Sequence, residues 1–200
     1  MSSQIQNLSP QELRQQIRSG QYQGNTSGCC AGFVQCNMVI LPSDWAADFL
    51  KFCQDNPKPC PLIALSKPGE FSIPKLGADI DIRTDIPSYR VFEKGKLSAE
   101  VNDISDLWRD DLVVFLLGCS FSFEEALVAE GLDVRNISEG VNVPMYRSNI
   151  DCTPAGPFAG KMVVSMRPFA PEEALQAVEI SGRFPSVHGE PIHYANPAEI

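Results

Sequence analysis

The sequence predicts an α/β fold, a layered sandwich of mixed sheets with a second, smaller α+β lobe. Three observations carry this expectation. Helical and strand-like hydrophobic patterns alternate along the chain without internal repeats or low-complexity tracts. Capping signals stand where helices should begin, as in Ser9-Pro10-Gln11-Glu12. Short apolar runs bounded by glycine and proline fall between them. The chain has 200 residues, 44% hydrophobic and 20% charged, an ordinary globular balance that can bury a core. No linker separates independent domains. Residues 1–200 are therefore expected to form one unit of two interleaved lobes.

The elements follow in order. The first capping box opens an amphipathic helix that Gly20 stops. Phe33 to Leu41 reads as an apolar strand carrying two amides, Gln35 and Asn37. Ser43 caps a helix in which Trp45, Phe49 and Phe52/Cys53 recur at helical spacing, and Asn56-Pro57-Lys58-Pro59-Cys60-Pro61 ends it in a rigid turn. Leu62 to Leu65 is a short buried strand. Ala78-Asp79-Ile80-Asp81-Ile82-Arg83 alternates as a half-buried strand does. Tyr89–Phe92 and Leu97–Val101 flank a hairpin turn at Glu93-Lys94-Gly95-Lys96. Trp108, Leu112, Phe115, Leu116 and Cys119 form a helical stripe, although Leu112–Leu117 also fits a buried strand; the helix is the preferred assignment. Ser122-Phe123-Glu124-Glu125 reads as a second capping box, with Gly131 closing its helix. Met162–Met166 reads as a buried strand, and Pro171-Glu172-Glu173 starts a helix running to about Arg183.

Sixteen basic against 25 acidic residues leave a net charge of −9 with no Lys/Arg cluster, which excludes nucleic acid and anionic membrane surfaces as partners. The longest apolar run, Leu112 to Leu117, is far below the roughly 20 residues of a membrane span. The start MSSQIQNLSPQEL has neither the basic nor the apolar part of a signal peptide. A soluble cytoplasmic protein is expected. The seven cysteines read as reduced thiols, because they are odd in number and unevenly placed, and no CxxC pair offers zinc its ligand spacing. No glycine-rich dinucleotide or phosphate-binding fingerprint occurs, so neither metal nor cofactor is expected.

Candidate chemistry concentrates in a few polar strings. Gly118-Cys119-Ser120-Phe121-Ser122 departs from a hydrolase elbow at its fifth position, yet a bend leading into a helix start can meet a carboxylate or oxyanion. Arg83, Arg109, Arg147 and Arg167 stand beside apolar or turn residues, where a guanidinium needs an anionic partner: an internal Asp85, Asp110 or Asp111, or a substrate carboxylate. Arg167 ends the apolar strand just before Pro168, at the kind of strand end where α/β sheets bind ligands. His188 and His193 lie in a proline-bearing loop and could act as acid or base. Cys119 reads as a buried structural thiol rather than a nucleophile.

Longer strings carry a resemblance. They are Phe52–Pro61, Asp81-Ile82-Arg83-Thr84-Asp85-Ile86-Pro87, the stretch from Trp108-Arg109-Asp110-Asp111 through Gly118-Cys119-Ser120-Phe121-Ser122-Phe123-Glu124, Asn142-Val143-Pro144-Met145-Tyr146-Arg147, Val163–Pro168 and Arg183–Gly189. In this order, from about residue 20 onward, the chain resembles the hydro-lyase family that includes the D-glutamate cyclases. The family's H-I-G-D-P pattern is replaced here by His193-Tyr194-Ala195-Asn196-Pro197, and the family continues further, so a C-terminal part is expected to be missing.

The resemblance implies a two-lobed α/β lyase that eliminates water, and in its eukaryotic members the conversion of D-glutamate into 5-oxo-D-proline. On that chemistry Arg83 and Arg167, with Arg147, Asn142 and Ser165, are expected to bind substrate carboxylates. Ser120 and Ser122 would polarise the reacting carboxyl, and Glu124 or Asp110 would handle protons, seconded by Tyr146 and His188. The expected partner is a small-molecule carboxylate, with a homo-oligomer left open. A hydroxy-acid dehydratase and a non-catalytic carboxylate-binding protein are the alternatives.

Overall fold

A computed structural model describes residues 8–200. It contains five α-helices and seven strands among the described residues, an α/β architecture. The reading of the N-terminal start falls on residues 1–7 and lies outside the described residues. In chain order the elements are α1 (Pro10–Arg18), β1 (Cys36–Pro42), α2 (Ser43–Asp55), β2 (Leu62–Leu65), β3 (Tyr89–Glu93) and β4 (Lys96–Val101). Then come β5 (Leu112–Gly118), α3 (Phe121–Ala129), α4 (Arg135–Ser138), β6 (Met145–Asp151), β7 (Lys161–Ser165) and α5 (Pro171–Gly182). The sheets are β1-β5-β2, β3-β4 and β6-β7, the last two antiparallel. Among the described residues no helix is long and apolar enough to cross a membrane.

The chain divides into two compact units whose segments interleave. The first takes in the described residues up to Ala31, Ile40–Ser43 and Leu65–Val114. Here the Ser9 hydroxyl accepts from Glu12 N–H while the Glu12 carboxylate accepts from Ser9 N–H, so the capping box forms as its spacing demands. Leu13 and Ile17, one turn apart, pack on the buried thiols Cys29 and Cys30. Lys94 and Gly95 both adopt positive φ, the conformation of a two-residue hairpin turn, and join β3 to β4.

The expected strand at Ala78–Arg83 is instead a succession of turns. Its aspartates are spent on arginines and backbone amides. Arg14 donates to both Asp79 carboxylate oxygens, at 3.1 and 2.6 Å, and Arg18 forks onto the buried Asp85. Asp81 accepts both arms of Arg83, at 2.9 and 2.7 Å, and Asp85 also accepts from Asp81 N–H at 2.8 Å. Aspartate side chains that bond nearby backbone compete with a strand ladder, and here they win. The Arg14 bonds hold the Asp79 carboxyl below its ordinary value near 3.8, and the Arg83 bonds do the same to Asp81. A folded value below the unfolded one means this contribution is complete above pH 3.8 and disappears as pH falls through the lower folded values. The urea midpoint should therefore drop in that acid window. A flat midpoint there, or an unchanged profile in an Asp79→Asn, Asp81→Asn variant, would refute the assignment.

The second unit comprises Gly32–Val39, Asp44–Ala64 and Phe115–Ile200. Its main core joins Phe123 and Leu127 of α3, Leu132, Val134, Ala177 and Ile180 of α5, and Val187. Leu127 and Ile180 are almost fully enclosed, each contributing about 2 kcal/mol relative to exposure. On α2, Phe49 sits edge-on to Phe115 at 4.8 Å between centroids and to Phe158 at 5.0 Å.

Several boundaries differ from expectation. The stripe from Trp108 to Cys119 is not a helix: Leu112–Gly118 is the central strand β5, with Val114 and Phe115 wholly buried. A strand covered on both faces reads as an unbroken apolar run, so its periodicity resembles that of a buried helix. The first strand begins at Cys36, not Phe33, and Ser43 is the first helical residue, not the cap before it. Helix α3 begins at Phe121 with Ser120 in the cap position, so Ser122-x-x-Glu125 is not a capping box. The strand expected to be buried at Met162–Met166 is β7 (Lys161–Ser165), and it is not buried: its residues alternate between exposed and half-buried, as on a strand with one open face.

Candidate active site

The turn from β5 into α3 gathers a group of buried polar side chains. Gly118 ends the strand and its N–H donates to Pro61 O at 2.8 Å; Cys119 N–H donates to Gln35 O at 2.9 Å. This seats Ser120 at the head of α3 and places Glu124 one turn further along, where its side chain is 1% exposed. A buried carboxylate needs a cation and donors. Arg167 supplies the cation from just beyond β7: its Nε and Nη2 reach Glu124 Oε1 at 3.0 and 2.5 Å. Nη2 also donates to Ser120 Oγ and Nη1 to Ser165 Oγ, both at 3.0 Å. Asn136 Nδ2 adds a bond to Glu124 Oε1 at 3.2 Å, and the guanidinium stands over the Phe123 ring at 5.3 Å. The Arg167 side chain is itself only 9% exposed, whereas Ser165 faces solvent.

Four of the five guanidinium N–H groups thus have protein partners among the described residues, which leaves one on Nη1. Ser120 accepts from Arg167 and retains its own proton to donate. Ser122 is placed differently: its Oγ accepts from Gln35 N–H at 2.8 Å and donates to Gln35 O at 3.3 Å, tying α3 to the segment before β1. The Cys119 thiol is buried, which pushes its pKa up, although Phe121 N–H and the Asn37 amide donate to it.

His188 belongs to the same unit. Its Nδ1 lies 2.9 Å from Lys58 O; a carbonyl only accepts, so Nδ1 carries the proton, and the ring also bonds the Gly118 backbone. Burial lowers its pKa, and the Arg167 and Lys58 charges add to that. His188 takes φ +82, a conformation that a non-glycine residue rarely adopts and that clusters at functional sites.

The other expected residues lie elsewhere. Tyr146 and Arg147 are exposed on β6 opposite Val164 and Val163, and the exposed Asn142 turns its Oδ1 to Val143 N–H. Arg83 and Asp110 belong to the first unit. There Arg83 is closed onto Asp81 and stacks over Phe71 at 3.6 Å, and Asp110 lies exposed in the turn before β5. His193 contacts Asn196 O at 2.8 Å, and Ala195 takes φ +85. An open cleft of about 250 Å³ is lined by Asp133, Arg135, Pro168, Phe169, Ala170 and Glu173. Sequence reasoning missed Asn136 and Arg135. The signal, an asparagine enclosed by Val134 and Ile137, is too slight to separate from a loop.

The α/β chain thus buries a carboxylate against a guanidinium that also donates to two serine hydroxyls. The D-glutamate cyclase family model matches residues 113–200, the stretch that carries all of this cluster. A protein of Rhizobium johnstonii named "Putative hydro-lyase" is 59% identical over 191 residues, covering 96% of this chain and 71% of that protein. Proteins of the same name from Bordetella petrii and Aliivibrio salmonicida are 57% and 54% identical over 94% and 96% of this chain, and 71% and 74% of their own lengths. The chain belongs to this hydro-lyase family, the family of the D-glutamate cyclases.

Proposed function

We propose that the protein eliminates water from a small amino dicarboxylate, converting D-glutamate into 5-oxo-D-proline. The observation that carries the reading is the Glu124–Arg167–Ser120 cluster, within a chain of this family. The substrate amine must shed a proton before its nitrogen can attack the side-chain carboxyl carbon. Glu124, fixed by Arg167 and Asn136, takes that proton. The new C–N bond forms while the hydroxyl of Ser120 and the remaining Nη1 hydrogen of Arg167 donate to the carboxyl oxygens, where charge develops; one such donor contributes about 3 kcal/mol. The nitrogen's second proton passes to His188; Glu124 and His188 each return one proton to the departing oxygen, the C–O bond breaks and water leaves. Holding amine and carboxyl in one conformer supplies further rate.

The net charge of −9 opposes an anionic substrate, so attraction must be local. Arg135 in the open cleft and Arg147 on β6 are the cations assigned to it. The test is incubation with D-glutamate, L-glutamate and a panel of hydroxy acids, followed by mass spectrometry. Loss of one water from D-glutamate, with 5-oxo-D-proline as product, is the expected result. Turnover of a hydroxy acid alone would replace cyclisation by dehydration, and ligand binding without product would make the protein a carboxylate binder.

A further inference from the structure

We propose that the open cleft beside α4 binds the carboxylate and ammonium carried on the α-carbon of a small amino acid, with Arg135 as the anchor. The identity of that amino acid rests on the function proposed above. The site rests on an arginine without an internal partner. Apart from Arg147 on β6, every other arginine among the described residues forms an ion pair with a carboxylate. The Arg135 side chain makes no hydrogen bond or ion pair among the described residues, and Asp133, two positions away, does not close onto it. It is exposed and lines the cavity. A guanidinium in this state is a ready fork for the two oxygens of a carboxylate.

The rest of the lining narrows the ligand class. The cleft holds about 250 Å³, just short of the roughly 300–1,000 Å³ of sites for drug-sized molecules, so its ligand is small. Pro168, Phe169 and Ala170 form an apolar wall that suits methylene groups, and Phe169 is backed by the core of α3 and α5. Asp133 and Glu173 face Arg135 across the same space, two negative charges to one positive. That balance opposes a plain dianion and favours a ligand that brings its own ammonium group. Glu173 is held in place, since its Oε2 accepts from Ala170 N–H at 3.1 Å.

The cleft adjoins the Glu124 cluster through the chain itself. Arg135 precedes Asn136, whose Nδ2 donates to Glu124 Oε1 at 3.2 Å, and Pro168 follows Arg167, which donates to the same oxygen. Consecutive Cα atoms lie about 3.8 Å apart, so two walls of the cleft are each one residue from a donor to the buried carboxylate. With Arg135 holding the carboxylate on the α-carbon, the side-chain carboxyl is the one left for Ser120 and Arg167.

The experiment titrates the ¹⁵N-labelled whole protein with D-glutamate, L-glutamate and glutarate, which lacks the amine. A glutamate enantiomer should shift the backbone amides of Asp133–Asn136 and Phe169–Ala170, and glutarate should bind more weakly. Arg135→Gln removes a side chain without internal contacts, so the fold should persist while glutamate affinity falls about tenfold or more. Asp133→Asn, Glu173→Gln should close the gap between glutamate and glutarate. In turnover, Arg135→Gln should raise KM and leave kcat nearly unchanged. Unmoved cleft amides, wild-type affinity in Arg135→Gln, or glutarate binding as tightly as glutamate would overturn the proposal. Binding in the cleft without product would remove the cyclisation and keep the site, whereas product formed with the cleft amides unmoved would do the reverse.

Discussion

Arg167→Ala should unfold at a markedly lower urea concentration than the wild type, as well as losing turnover. The side chain is not a free clamp waiting at a surface. It is the counter-ion of a Glu124 carboxylate that is 1% exposed, and it also bonds Ser120 and Ser165. Forming a buried ion pair gains little net stability, because desolvation offsets the attraction, but removing one partner strands the other charge out of water. The expected loss is about 3–5 kcal/mol. The double variant Arg167→Met, Glu124→Leu removes both charges, so it should recover most of the stability while remaining inactive. Equal stability of Arg167→Ala and wild type would mean that the carboxylate is solvated and the pair unimportant. Activity in the double variant would remove both residues from the mechanism.

Gly118→Ala should be strongly destabilising. A β-carbon built there would lie 2.3 Å from Ser186 O, 2.8 Å from Val187 Cγ1 and 3.0 Å from Val187 Cα. Two of those three atoms are backbone, which cannot rotate out of the way. The segment Pro185–Val187 must therefore move, and His188, held at φ +82, is the next residue. Overpacking of this kind costs about 2 kcal/mol or more. A lowered melting temperature together with a shifted His188 imidazole resonance is the expected pair of results. A melting temperature within a degree or so of wild type would show that the two segments are less closely packed than this.

Much of the fold is legible in the chain because it is encoded locally. The Ser9 capping box, the Lys94-Gly95 turn, the proline stop after α2 and the Pro171 helix start each depend on residues a few positions apart, and each forms in the structure. The site is legible in part. Ser120, Glu124, Ser165 and Arg167 all stand in strings that mark them, and the structure brings these four together. Arg83 carries an equally suggestive string, yet it is closed onto Asp81, two residues away.

The amino-acid order by itself determined the α/β class, the starts of α1 and α5, the proline stop after α2, the acidic charge and the family. Only the tertiary structure decided that Leu112–Gly118 is a central strand and that Glu124 meets Arg167 across 43 residues of sequence. Caps and turns are settled by neighbours along the chain. Burial on two faces and the pairing of distant charges are settled by what the folded chain sets against them, and no local pattern records that.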